Sequence, residues 1–410
     1  MNRADSLEPL SQQEWYMGKA NAVVGQSGGP TSVINCSLAG VIETAVGSSA
    51  VDRIFGMRFA IEGLMEGDLI DLTDRSAEAL QQLKRTPSSV LGSSRHKIGD
   101  ADLPRILEIL KSYEIRYFFL IGGNDTMDTI HRVESFCREQ DYELFGVGIP
   151  KTVDNDLFGT DHTPGFPSAA RCNILNVLQA GILARDMQRV DRYVIYQSIG
   201  RDAGWLSAAT ALARRDESQA PHLIYLPEVS FDRERFLTDV EGCISRYGWV
   251  SVVCGEGLQY ADGTPVSASQ RTDKFGNIEF GAMAGTSVAL NLHRMIMERF
   301  DFRGEFQITE SLIMSAADRA VELDREEAYR CGCRAVQLAI EGSSGLMVTI
   351  ARKANDPYRV ELETAPLAEV AVKSRPMPGG YISSEGNFVT EEFLDYMRPL
   401  VGEIPEFARV

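Results

Sequence analysis

Positive charge is what this chain is short of. Its 41 Lys and Arg stand against 58 Asp and Glu, a formal net charge of -17. That balance argues against nucleic acid and an anionic membrane as partners, since both select a basic footprint. A phosphorylated substrate must then be held by local arginines and lysines. Cysteine is sparse at seven and never at metal-ligand spacing, Cys331 and Cys333 forming only a C-x-C pair, and the five histidines are scattered. A zinc site is not expected. With no hydrophobic N-terminal segment, the thiols are expected to be reduced and the protein cytoplasmic. No Pro/Gly/Ser-rich linker, low-complexity stretch or solenoid-period repeat interrupts the chain, so its lobes are joined by ordinary crossovers. Residues 1–18 are polar and unpatterned and are expected to form a mobile arm.

What is present is a chain of 410 residues, 44% hydrophobic and 24% charged, enough to bury a large core and to divide into lobes. Apolar runs alternate with helical periodicity. Residues 21–25 end in Gly28, Gly29 and Pro30, after which Ile34, Leu38, Val41 and Ala45 recur at helical spacing over 31–46. The unit repeats at 117–121 with Gly122, Gly123 and a helix over 127–139. It repeats again at 193–199 with Gly200, Gly204 and a helix-like 205–213. A strand over 221–227, a helix over 232–247 and a strand over 250–254 ending in GEG come next. Repeated strand–turn–helix units predict an α/β fold with largely parallel, doubly wound sheets and a ligand crevice at the carboxyl ends of the strands.

Two runs carry chemistry. IGGNDT (121–126) and PKTVDND (150–156) each follow an apolar stretch and bring Asp125, Asp154, Asp156 and Lys151 toward one sheet edge. Such a cluster fits phosphoryl transfer: glycine admits phosphate oxygens to backbone N–H groups, an aspartate takes a hydroxyl proton, and lysine with Mg²⁺ neutralises the transferring group. Two aspartates flanking an asparagine are costly to bury unless the carboxylates are used, the other reading being a solvated polar loop. GQSGGP (25–30) reads either as a tight turn or as a phosphate cradle. IGRDAGW (199–205) reads either as a helix start with an exposed arginine or as an anion site. Arg95 and Lys97 in GSSRHKIG fit a surface turn as well as a ligand site.

Taken in order, these motifs resemble the phosphofructokinase family, and specifically its pyrophosphate-dependent branch. The resemblance runs from about residue 21 to 405 and takes in GQSGGPTSVIN, GSSRHK, IGGNDT, PKTVDNDL, TDHTPGFPSAA, IGRDAGWLSA, PEVSF and GEGL. It implies that Gly28 and Gly29 cradle the phosphoryl donor, with Arg95, Asn124, Asp125 and Thr126 beside it. Asp125 and Lys151 match residues typical of pyrophosphate users. Asp154 is implied as the base that deprotonates the sugar 1-hydroxyl, with Thr152 touching the transferring group and Arg201 completing the catalytic set. Asp156 and Asp125 would help hold Mg²⁺, Gly200 and Glu256 would line the sugar cleft, and Arg192 would reach a neighbouring subunit's site. Pyrophosphate offers no base or ribose to grip, so its affinity must come from charge and backbone N–H groups.

The sequence departs from the family pattern twice. Asn124 stands where ATP-using relatives carry a metal-binding aspartate. Ser311 and Met314 stand where relatives carry a Tyr-x-x-Arg element for the sugar 6-phosphate, leaving Arg319 as the nearby basic substitute. Three functions are therefore expected in this order: a reversible pyrophosphate-dependent 6-phosphofructokinase, a pyrophosphate-dependent kinase of another sugar, sulfonated sugar or polyol, and a non-catalytic subunit. The expected architecture is two lobes with the site between them: a donor lobe of residues 19–172 and 314–410, and an inserted acceptor lobe of 173–313. A helix over 322–340, a strand over 345–350 and a helix near 391–401 would return to the first lobe. The resemblance implies a homodimer or homotetramer.

Overall fold

The computed structural model describes residues 19–267 and 286–408, so the arm expected over 1–18 lies outside the described residues. Among them the strands are β1 (Ala20–Gln26), β2 (Val51–Met57), β3 (Leu69–Asp71), β4 (Ile115–Gly122), β5 (Phe145–Pro150), β6 (Tyr193–Ser198), β7 (Leu223–Tyr225), β8 (Val250–Gly255), β9 (Gly304–Ile308), β10 (Leu346–Asn355) and β11 (Tyr358–Pro366). The helices are α1 (Ile34–Val46), α2 (Ala60–Glu66), α3 (Ala77–Arg85), α4 (Leu103–Ser112), α5 (Asn124–Glu139), α6 (Phe166–Asp186), α7 (Trp205–Ala209), α8 (Arg233–Tyr247), α9 (Val288–Phe300), α10 (Glu322–Ile340), α11 (Leu367–Val370) and α12 (Glu391–Val401).

Two sheets organise the chain. One has seven strands in the order β11-β10-β5-β4-β1-β2-β3, parallel through its centre with antiparallel β3 and β11 at its edges. The other has four parallel strands in the order β7-β8-β6-β9. Helices cover the faces, and the fold is α/β, as the alternation of patterns implied. The central strands are apolar because both faces are covered: in β4 only Arg116 is exposed, and β5, β6 and β8 are buried throughout. One face of the seven-stranded sheet packs on α1 and α10 through Leu38, Val41, Ala335 and Val336. The other packs on α2, α4 and α5 through Leu64, Ile106, Met127 and Ile130.

The boundaries differ from the sequence reading in three places. Helix α5 begins at Asn124, three residues earlier than apolar spacing suggests, so Asn124, Asp125 and Thr126 form its first turn. Polar side chains at a helix start carry no apolar period, which is why they read as loop. The lobe boundary expected at residue 172 falls inside the continuous helix α6. The last helix, α12, packs with α6 and α7 in the core over the four-stranded sheet, where Phe393 and Tyr396 lie 6.3 and 5.6 Å from Trp205 between ring centroids. The C-terminal part is thereby shared: α10, β10 and β11 join the seven-stranded sheet, and α12 joins the second core.

Candidate active site

Strands β1, β4, β5, β6 and β8 all end at one cavity of about 500 Å³. Its walls include Gly28, Gly29, Arg95, Asn124, Asp125, Thr126, Lys151, Thr152, Asp154, Asp156, Gly200, Arg201 and Glu256. Residues spread over more than 200 positions meet there because parallel strands deliver their succeeding loops to one side of a sheet.

The loop after β5 is the most constrained part. Lys151 is buried and its Nζ donates to the Gly29 carbonyl at 2.7 Å. Burial, partly offset by Asp154, pulls its pKa down to about 8. Asp154 is pushed well above the ordinary carboxylate range, first by burial and then by the neighbouring charge of Asp156, whose own pKa burial also raises. The Thr152 hydroxyl accepts from the Asp154 N–H at 3.1 Å, closing a local turn. Between the two aspartates, Asn155 is fully buried in the left-handed region at φ 58°. Its side chain accepts from the Thr163 N–H at 3.0 Å and donates to the Tyr396 hydroxyl at 3.2 Å.

On the donor side, Gly28 has φ +76°, which suits glycine, and a Cβ on Gly29 would stand 2.5 Å from Met314 Cε. The donor loop thus leaves room only for bare backbone. Arg95 lines the same wall. The N-terminus of the 16-residue α5 opens on the cavity, a place that favours anions. Asp125 sits at the rim with its side chain 70% exposed, and Lys97 Nζ pairs with it at 3.3 Å. Asn124 Nδ2 is turned to the Val370 and Lys373 carbonyls, at 3.1 and 2.8 Å, so this amide nitrogen serves the C-terminal segment.

On the other wall Arg201 takes the left-handed region at φ 51°, a strained choice for a residue with a side chain. Glu256 holds the strained turn by accepting from the Gly200 and Arg201 N–H groups at 3.1 and 3.0 Å. Burial raises the pKa of Glu256, the two N–H groups opposing the rise. Arg192 is not brought to this cavity. It precedes β6, at the amino end of the sheet, with its guanidinium 5.6 Å from the Phe302 ring and a buried Nε that makes no hydrogen bond.

The phosphofructokinase family model matches residues 21–339. The chain belongs to the phosphofructokinase family. It is 36% identical over 392 residues to the pyrophosphate–fructose 6-phosphate 1-phosphotransferase of Halomonas elongata, covering 94% of this chain and 92% of that one. The pyrophosphate-dependent phosphofructokinase of Marinobacter aquaeolei superimposes with a TM-score of 0.85 at 35% identity, covering 95% of this chain and 94% of that one. A sulfofructose kinase of Alkalicoccus urumqiensis is 31% identical over 360 residues, covering 88% of this chain and 91% of that one.

Within this chain the departures from the family pattern take physical form. Ser311 and Met314 line the cavity together with Glu310. Arg319 does not stand in for the absent arginine: its NH1 lies on the Asn176 side chain and 3.5 Å from the Cys172 carbonyl, against α6. Among the described residues, no group of three or more His, Cys, Asp or Glu side chains is arranged to hold an ion alone. Buried aspartate oxygens still suit Mg²⁺, which takes one or two carboxylates and draws its other ligands from water and substrate phosphate.

Sequence reading missed Arg375. It reaches the loop after β5 from the far end of the chain, with Nε and NH2 on the Asn155 carbonyl at 3.2 and 2.9 Å and NH1 on the Thr160 carbonyl at 2.9 Å. It missed His162 as well, whose ring nitrogens contact Asp161 Oδ2 at 2.9 Å and Glu327 Oε2 at 2.6 Å in the interior. Arg375 lies outside every motif quoted and His162 lies in TDHTPGFPSAA with no role read from it, because no local spacing announces a contact across 165 or 220 positions.

Proposed function

We propose that the chain is a pyrophosphate-dependent 6-phosphofructokinase, which moves a phosphoryl group reversibly from pyrophosphate to the 1-hydroxyl of fructose 6-phosphate. The observation that carries this reading is the cavity holding buried Lys151 against the Gly29 carbonyl together with buried Asp154 and Asp156. A retired site has no reason to keep like charges out of water. Asp154, in its ionised form, takes the hydroxyl proton as the sugar oxygen bonds to phosphorus and the bond to the departing phosphate breaks. Lys151 and Arg95 stabilise the departing phosphate, and the Gly29 N–H donates to its oxygens where the side-chain-free Gly28 lets them approach, the Gly28 N–H itself being given to the Ser94 carbonyl at 3.0 Å. Thr152 and Arg201 face the transferring group, and Thr126 lies at the start of α5 on the donor side. Glu256 shapes the sugar wall by fixing Gly200 and Arg201. Mg²⁺, held by Asp156, the rim carboxylate of Asp125, water and pyrophosphate, would neutralise phosphate charge when bound.

All seven cysteines are free, which supports a reducing, cytoplasmic setting. Among the described residues no helix is long and apolar enough to cross a membrane. Arg192, remote from its own chain's cavity, supports assembly as a homodimer or homotetramer. The two-lobe division, a donor part of residues 19–172 and 314–410 and an acceptor part of residues 173–313, would frame these roles with α6 crossing its boundary and α12 packed in the second core.

A second reading keeps the donor and changes the acceptor to a sugar, polyol or sulfonated sugar without the 6-phosphate. It is favoured by Met314 lying over Gly29, by the engagement of Arg319 with α6, and by the relative named a sulfofructose kinase. The test is phosphoryl transfer by the purified protein with Mg²⁺, pairing pyrophosphate or ATP with fructose 6-phosphate and with unphosphorylated and sulfonated sugars. Turnover of pyrophosphate with fructose 6-phosphate is expected. Turnover confined to the other sugars selects the second reading, and none with any acceptor removes both.

A further inference from the structure

Residues 370–375 run beside the loop that carries Asp154 and tie it to the start of α5. The Val370 and Lys373 carbonyls accept from Asn124 Nδ2. Ser374 bridges Leu157 in antiparallel fashion, and the Arg375 N–H donates to the Asp156 carbonyl at 2.7 Å. The Arg375 guanidinium then spreads over the Asn155, Thr160 and Asp161 carbonyls. Its Cζ lies over the Trp205 ring, 4.4 Å from the centroid, and the indole Nε1 donates to the Arg375 carbonyl at 3.5 Å. A planar fork with five donors suits this task, and a lysine cannot reproduce it.

The object being held explains the need. Asn155 stands in the left-handed region, which asparagine tolerates, and it is held there by its side-chain bonds to Thr163 and Tyr396 and by Arg375 on its carbonyl. Relaxing that one residue would re-aim Asp154 and Asp156 on either side. The strap also accounts for Asn124: two backbone carbonyls call for a donor, which an amide supplies and an ionised aspartate does not.

We propose that residues 370–375 form a positioning strap, in which Arg375 locks the Asn155 backbone and so aims Asp154 at the acceptor hydroxyl, while Asn124 anchors the strap to the donor side. The inference rests on the reading of Asp154 as the base. Arg375 does not line the cavity, so it is a positioning residue whose loss lowers kcat by more than it raises KM for pyrophosphate, which feels only the shift of Asp156.

The test uses the full chain with Arg375→Lys and Arg375→Ala, studied by steady-state kinetics and by hydrogen–deuterium exchange. Arg375→Lys, which retains the charge, is expected to lower kcat roughly a hundredfold, the scale of a misplacement near 1 Å. KM for pyrophosphate should rise by no more than about tenfold, clearly less than kcat falls. Added guanidinium ion should restore part of the lost kcat in Arg375→Ala. Exchange should rise over residues 152–163 and remain as in the parent elsewhere. Unchanged exchange in that segment in both variants overturns the strap whatever reaction the enzyme performs. A kcat within twofold of the parent in Arg375→Lys overturns it as well. Should Arg375→Ala fail to fold, Arg375→Lys decides. Failure of the parent enzyme to turn over pyrophosphate would instead count against the proposed function, and the exchange measurement still reads the strap.

Discussion

Lys151 commits its charge to a backbone carbonyl. Its Nζ donates to the Gly29 oxygen at 2.7 Å, so the loop after β5 fixes the loop after β1. Strand β5 and strand β1 are coupled at their carboxyl ends by this one bond.

The first prediction comes from that burial. Lys151 is cationic below about 8 and neutral above it. In the free enzyme, kcat/KM for pyrophosphate should therefore fall as pH rises through that value. Lys151→Met should lower kcat/KM for pyrophosphate by a factor of roughly ten to a hundred, the equivalent of about 1.5–3 kcal/mol for a lost charge-assisted contact. A flat profile between pH 7 and 9 in the parent enzyme would count against the assignment.

Asp154→Asn should separate chemistry from folding. As the general base it is worth roughly 10²–10⁴ in kcat. The same change removes a charge held out of water beside Asp156, so the melting temperature should hold or rise. Residual kcat above a tenth of the parent value would remove Asp154 from the base role.

Met314→Arg tests the acceptor end. The new guanidinium would enter the wall shared by Ser311 and Glu310, beside Gly29. An enzyme limited by the missing arginine should gain about tenfold in kcat/KM for fructose 6-phosphate, the order of one charge-assisted hydrogen bond. Unaltered kcat/KM would show that the phosphate end is read by other residues.

A fourth prediction concerns stability. Burial lowers the His162 pKa, but the hydrogen bonds to Asp161 and Glu327 prevail and raise it to about 9 from 6.5. The stabilisation it contributes is complete below the unfolded value and is lost as pH rises through about 9. His162→Ala leaves Asp161 its Arg352 partner at 2.8 Å but Glu327 only the Tyr358 hydroxyl at 2.8 Å, and should cost about 3 kcal/mol for the one buried carboxylate that loses its cation. Urea denaturation of parent and variant at pH 6 and pH 9.5 reads both effects, the gap between them shrinking at the higher pH.

Much of this site was written in short-range patterns. Gly28, Gly29, Lys151, Asp154 and Arg201 each come just after an apolar run, and parallel strands deliver their carboxyl-terminal loops to one edge of a sheet. Asn124 was legible as a departure from its relatives, but its reason lay in carbonyls 246 and 249 positions away. Arg375, His162 and Glu327 act by long-range contact, which leaves no period in the sequence. Arg319 shows the converse: nearness in sequence to Met314 suggested a substitute, and helix α6 had already claimed its guanidinium. The sharing of α12 with the second core was hidden because an amphipathic helix states which face it buries and not against what.

Strand β5 ends just before Lys151, yet its second neighbour in the sheet, β10, arrives almost two hundred residues later, with Leu346 beside Val147 and Met347 beside Gly148. During synthesis at ordinary elongation rates, that edge of the sheet waits roughly 10–40 s for its partner. An exposed apolar edge of this kind is the place where nascent chains adhere to one another. The edge beside Lys151 therefore stays open until β10 has been made.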